Sequence, residues 1–321
     1  GEKMKKKKEF VKLFHHCMQV ECVNEILYPH RFSKEMLDFY SNIDEGKQIR
    51  AYSTAGITME FITDKPEISF RYKSKGFCRD KVAFDIYEND IFMKTIEEPE
   101  RSETGFVCYK KQNINRVKIT IFLPHCVWLG ITDIDFGNWL PIDNLERTIL
   151  FLGDSITQGM TVSSPSQAYP VLIARAMNCD YINQGVGGYV FCQDSIKDSI
   201  CADRVIVAYG TNDFYMIKNG KMTVYDFQKN VEAYFSKIKI LYYGTKITVI
   251  TPIWRADCKE KDKEIFLKVK EIIEKCANDK AINVIDGLTL IGHEERFYVD
   301  GIHPNDWGAN MMALNILRTL S

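Results

Sequence analysis

With 321 residues, 45% hydrophobic and 26% charged, the chain has the composition of a soluble globular protein of about two domains. Its 42 basic and 43 acidic residues leave a net charge of −1. No basic stripe accompanies the aromatics, which excludes nucleic acid as an expected partner, and no apolar stretch is long enough to cross a bilayer, which excludes a membrane-spanning role.

The chain opens on a lysine run, Lys3 and Lys5–Lys8, read as a solvated tail or helix start. Phe10–His16 is too short and too polar for the apolar core of a signal peptide. Ten scattered cysteines include no CxxC pair, so zinc-type spacing is absent and they read as small, reduced apolar residues. Together these point to a cytoplasmic protein with no metal.

A short helix capped by Ser33 is expected over Ser33–Tyr40. Apolar and polar residues then alternate at Ile57–Phe61, at Ile68, Phe70 and Tyr72, and at Val82, Phe84 and Ile86. The same period returns at Val117, Ile119, Ile121 and Leu123, and at Val127, Leu129 and Ile131. Period two means one buried face and one wet face, hence antiparallel strands in a sandwich or jelly roll. Gly137, Asn138 and Pro141 punctuate a boundary, where Trp139 is expected to pack one domain on the other.

Beyond the boundary the period changes. Thr148–Leu152, Tyr181–Asn183, Arg204–Ala208, Lys246–Thr251 and Ile282–Ile285 read as strands. Gln167–Met177, Tyr225–Tyr242, Lys261–Cys276 and Asp306–Leu320 read as helices, with Trp307 packed inside the last. Apolar strands alternating with amphipathic helices imply a parallel sheet covered on both faces. The expected organisation is an N-terminal helical or extended segment over 1–44, a β-sandwich over 45–140 and an α/β domain over 147–321.

Four polar clusters fall at strand ends, where such sheets bind ligands. Gly153-Asp154-Ser155 stops the first apolar strand and offers Ser155 as a nucleophile. A serine needs a base at neutral pH. Of six histidines, His303 alone has an acid three residues before it, Asp300; the rival His293 has Leu290 there. Asn183–Gly188 follows the second strand and Gly210–Asp213 the third, and a glycine turn and an asparagine can supply N–H donors to an oxyanion. After the fourth strand, Trp254 and Arg255 suggest a stacking wall and a polar clamp for substrate, or equally a core tryptophan with a snorkelling arginine. Rival motifs fail: Gly185–Gly188 is not GxGxxG, no phosphate loop is present, His293-Glu294 lacks a second histidine, and the serine is not in GxSxG.

These four blocks resemble those of the SGNH (GDSL) hydrolases, and the resemblance covers the chain from about Thr148 onward. It implies a flavodoxin-like five-stranded parallel sheet. It implies Ser155, Asp300 and His303 as the catalytic set and Ser155, Gly188 and Asn212 as the oxyanion hole, with no cofactor. The preceding β half is similar to the jelly-roll domain of carbohydrate acetyl esterases of the CE2 type. The expected activity is hydrolysis of short acyl esters, acetyl on a carbohydrate above all, through a Ser-His-Asp acyl-enzyme. The expected partner is a small-molecule or oligosaccharide ester. A lipid or thioester acylhydrolase, an acyltransferase, and an inert carbohydrate-binding protein are the alternatives. A histidine base must be neutral to take a proton, so activity is expected to fall in acid.

Overall fold

The computed structural model describes residues 9–320, so the lysine run lies outside the described residues. The chain forms two units: one runs to Leu145 and takes in Ser164–Ser166, the other holds Glu146–Ser163 and Gln167 onward.

The first unit is built on two antiparallel sheets. Its strands are β1 (Phe14–His15), β2 (Gln19–Val23), β3 (Ile26–His30), β4 (Thr58–Thr63), β5 (Glu67–Phe77) and β6 (Val82–Glu88). They continue with β7 (Ile91–Glu98), β8 (Thr104–Lys110), β9 (Val117–Phe122), β10 (Val127–Asp135) and β11 (Leu140–Pro141). One sheet runs β1-β4-β9-β6-β7, with β11 beside β4; the other runs β2-β3-β10-β5-β8. Met59, Phe61, Phe84, Ile119 and Ile121 of the first share one core with Phe70, Tyr72, Leu129 and Ile131 of the second. Each such side chain contributes about 1.5–3 kcal/mol by leaving water. Helices α1 (Lys34–Ser41) and α2 (Glu45–Tyr52) are capped by Ser33 and Asp44, which accept from Met36 N (3.3 Å) and Lys47 N (2.7 Å).

Three features differ from the periodic reading. Phe14–His30 is no separate segment but supplies β1, β2 and β3 to the two sheets. β6 is buried along its whole length and has no wet face. Trp139 stacks on Phe10 within the first unit, with ring centroids 6.2 Å apart.

The second unit is a parallel sheet of β12 (Thr148–Gly153), β13 (Asp180–Gly185), β14 (Arg204–Ala208), β15 (Lys246–Ile250) and β16 (Asn283–Ile285), ordered β13-β12-β14-β15-β16. Its helices are α3 (Ser155–Gln158), α4 (Tyr169–Ala176), α5 (Thr211–Lys218), α6 (Val224–Leu241), α7 (Lys263–Asp279) and α8 (Asp306–Leu320). α4 packs with α8 and α6 with α7. On α6 the buried Phe227, Val231, Tyr234 and Ile238 recur at helical spacing. This flavodoxin-like order reverses direction between β12 and β14, the place at which such sheets bind ligands, at the carboxyl ends of the strands.

Among the described residues no helix is long and apolar enough to cross a membrane. None of the ten cysteines is in a disulfide.

Candidate active site

β12 ends at Gly153, in register with Gly185 of β13 and Ala208 of β14. Three loops therefore leave the sheet side by side. The first turns at once into α3, with Asp154 as its cap: the Asp154 side chain accepts from Ile156 N at 2.9 Å. α3 lies directly against β13, so a Cβ on Gly185 would come within 2.3 Å of Gln158 N and 2.9 Å of Asp154 O. Only glycine admits this approach, which sets Ser155 at the rim of the sheet.

The structure brings Ser155, His303 and Asp300 together. Ser155 Oγ lies 2.8 Å from His303 Nε2, and His303 Nδ1 lies 2.7 Å from Asp300 Oδ2. The other oxygen, Asp300 Oδ1, accepts from Ile302 N (3.0 Å) and His303 N (2.8 Å). Partial burial alone would raise the Asp300 pKa, but the hydrogen bonds from the His303 amide, the His303 ring and the Ile302 amide outweigh it. The carboxyl is thus held below its ordinary range and stays ionised. With Nδ1–H donating to that carboxylate, Nε2 is left to accept the serine proton.

The sequence-predicted donors occupy the neighbouring loops. Gly188 sits after β13 at φ +72°, a left-handed conformation that L side chains avoid. The loop before it is fixed where Gly187 N donates to Gln158 Oε1 at 3.0 Å. Asn212 lies in the first turn of α5, and one of its two amide protons goes to Tyr189 O at 2.9 Å. That bond orients the side chain and leaves its second proton available. Thr211 begins a helix directly after Gly210, so this donor stands in a helical turn.

Trp254 and Arg255 separate in character. Trp254 is half-buried and stacks on His293, with centroids 5.8 Å apart and planes 10° apart, and tilts against Tyr298. With Arg255, Phe266, Leu288 and His293 it lines a cavity of about 280 Å³. Arg255 is buried, and its guanidinium is engaged by Asp257 and Thr211. Trp307, expected to pack, is 68% exposed on the first turn of α8. Among the described residues no cluster of three or more His, Cys, Asp or Glu side chains is placed to hold a metal.

Two buried carboxyls escaped the sequence reading, although both stand inside the quoted motifs. Asp154 and Asp213 lie beside the donors Ser155 and Asn212 in the chain. Asp213 Oδ1 accepts from Phe191 N at 3.2 Å, while its Oδ2 has no hydrogen-bond partner among the described residues. Burial pushes both carboxyls up to about 7; their backbone hydrogen bonds pull the other way, and for Asp213 the nearby Asp154 adds to the rise. A raised folded-state value means that the folded protein prefers the protonated form. The associated stability is full below the ordinary Asp value of 3.8 and is lost as pH rises through about 7. Thermal melts at a series of pH values are expected to fall over that window, and Asp213→Asn is expected to flatten the fall. An unchanged pH profile in the variant would contradict this account.

A profile of the GDSL-like Lipase/Acylhydrolase family matches residues 151–311. Among curated proteins, none matches the chain. The solved structures include a salicylyl-acyltransferase, SsfX3, from a tetracycline biosynthetic pathway, at 20% identity and TM-score 0.74, covering 96% of this chain and 93% of that one. A family two carbohydrate esterase from Clostridium thermocellum, in complex with cellohexaose, is similar at 16% identity and TM-score 0.65, over 92% and 98% of the two chains. An acetyl xylan esterase, Est2A, from the rumen bacterium Butyrivibrio proteoclasticus is similar at 14% identity and TM-score 0.60, over 88% and 97%. At these identities the likeness establishes a shared fold, with a β unit ahead of an SGNH-type sheet. The family profile spans half of the chain, and the protein belongs to the GDSL-like lipase/acylhydrolase family of carboxylic ester hydrolases.

Proposed function

We propose that the protein is a serine esterase that removes short acyl groups, acetyl above all, from a carbohydrate through an acyl-enzyme. The observation that carries the reading is the hydrogen-bonded series Ser155–His303–Asp300, with contacts of 2.8 and 2.7 Å, at the carboxyl end of β12. His303 Nε2 takes the serine proton as Ser155 Oγ bonds to the ester carbonyl carbon. The carbonyl oxygen becomes an oxyanion, received by the Ser155 and Gly188 amides and the Asn212 side chain. Collapse breaks the bond to the alcohol, which leaves with the proton from His303. Water then gives a proton to His303, attacks the acyl carbon and releases the acid, and the proton returns to Ser155. Asp300 holds the imidazole in the tautomer that this requires. Asp300, held below its ordinary range by its hydrogen bonds, stays ionised and keeps its hold on the ring.

The carbohydrate assignment is supported by the neighbours, which include an acetyl xylan esterase and an esterase holding cellohexaose. The half-buried Trp254 beside its cavity is suited to stacking a sugar ring. A series of p-nitrophenyl esters is expected to show kcat/KM falling steeply beyond short chains, and acetylated oligosaccharides are expected to release acetate. Preference for long chains would overturn the reading in favour of a lipid esterase. One observation favours a second outcome: a solved structure of high similarity is an acyltransferase. Added sugar acceptors that capture the acyl group ahead of water would make transfer the primary reaction.

A further inference from the structure

We propose that Arg255 is a positioning residue that braces the Asn212 turn for receipt of the oxyanion. This rests on the oxyanion role given to Asn212 above. Arg255 is 4% exposed, so its charge is tolerable only because it is paired. Nε and Nη2 form a fork on Asp257, at 2.5 and 2.7 Å, which holds that carboxyl below its ordinary range. Nη1 donates to the carbonyl of Thr211 at 2.8 Å and approaches its Oγ1 at 3.4 Å. The guanidinium carbon stands 4.9 Å from the centre of the Phe214 ring. Each of the three nitrogens thus donates to protein, and the side chain also borders the cavity beside Trp254. The fork on Asp257 and the bond to the Thr211 carbonyl hold the head in one orientation, as a brace requires.

The position of the contacts gives the brace its purpose. Thr211 immediately precedes Asn212, in the first turn of α5. The turn is secured from one side by Arg255 and from the other by the Asn212 bond to Tyr189 O at 2.9 Å. The next residue, Ala256, donates from its amide to Gly301 O at 2.7 Å, inside the loop that carries Asp300 and His303. One short segment, 255–257, thus touches both the donor turn and the acid–base loop. Donors lower a barrier only when they are fixed before charge develops, so an unbraced Asn212 should cost kcat and spare KM.

The test measures kcat and KM on p-nitrophenyl acetate for Asn212→Ala, Arg255→Met and the double variant, with melting curves to confirm folding. Asn212→Ala is expected to lose about 10²–10³-fold in kcat. Arg255→Met is expected to lose roughly 10–100-fold in kcat with KM within about threefold. In the Asn212→Ala background the same change is expected to cost less than about threefold, because residues acting through one another are not additive. Arg255→Lys, which keeps a donor but not the fork, should recover part of the loss. If Arg255→Met does not fold, Asp257→Asn loosens the fork while keeping the arginine, and is expected to lower kcat in the same pattern by a smaller factor. An Arg255 defect in KM alone, or one that multiplies fully with Asn212→Ala, would overturn the brace. If Asn212→Ala is crippled and the Arg255 and Asp257 variants are not, the brace alone fails. If Asn212→Ala keeps the parent kcat, the oxyanion role fails, and the brace with it.

Discussion

Ser155→Ala is expected to lower kcat on p-nitrophenyl acetate by about 10⁴–10⁶-fold, the scale on which removal of a nucleophile silences comparable sites. The effect should be confined to chemistry. Ser155 is 5% exposed, and its hydroxyl contributes one hydrogen bond, to His303. Losing that bond costs about 1 kcal/mol of stability, while the backbone of α3 keeps its cap from Asp154. Thermal melts should therefore be nearly unchanged while p-nitrophenolate release disappears. Retained turnover in a folded variant would remove the serine from the mechanism.

Asp300→Asn is expected to lower kcat by up to about 10⁴-fold with little change in KM. The reason is local. Oδ1 already accepts from the amides of Ile302 (3.0 Å) and His303 (2.8 Å), so an asparagine oxygen must keep that position. Its NH₂ group then replaces Oδ2 and faces His303 Nδ1 across 2.7 Å, donor to donor. The ring can relieve this only by placing its proton on Nε2. In that tautomer it cannot accept the proton of Ser155. Nitrogen-15 NMR of labelled histidine would show the switch. A loss of less than about tenfold, with the tautomer unchanged, would show that Asp300 does not govern His303.

The four chemical blocks were legible because each is local: Ser155, Gly188, Asn212 and the Asp300–His303 pair stand in short strings whose residue types carry their own chemistry. The parallel sheet was legible for a related reason, since β12 and β14 are unbroken apolar runs that end at polar turns. What stayed hidden depends on partners far along the chain. The contact between Arg255 and Thr211 spans 44 positions, and neither residue hints at the other. β2 is exposed or half-exposed along its length and shows no alternation to read. In β6 the alternation of Val82, Phe84 and Ile86 marks the face turned to the core, but not that the opposite face is buried as well. The start of α5 hid behind Gly210, Thr211, Asn212 and Asp213, residues suited equally to a turn and to a helix cap. Asp154 lay in plain view in the first block, but its burial, and with it the raised pKa, is a property of the folded surroundings.

Ser155 is expected to carry the acyl group between two half-reactions. Rapid acid quench of the parent enzyme during turnover of p-nitrophenyl acetate, followed by peptide mapping, tests it most directly. The account predicts one acetyl group on the peptide that contains Ser155, absent after the substrate is exhausted and absent from Ser155→Ala. Acetyl found on another residue, or normal turnover with no acylated Ser155 peptide under any quench time or alternative slow-turnover ester, would contradict it.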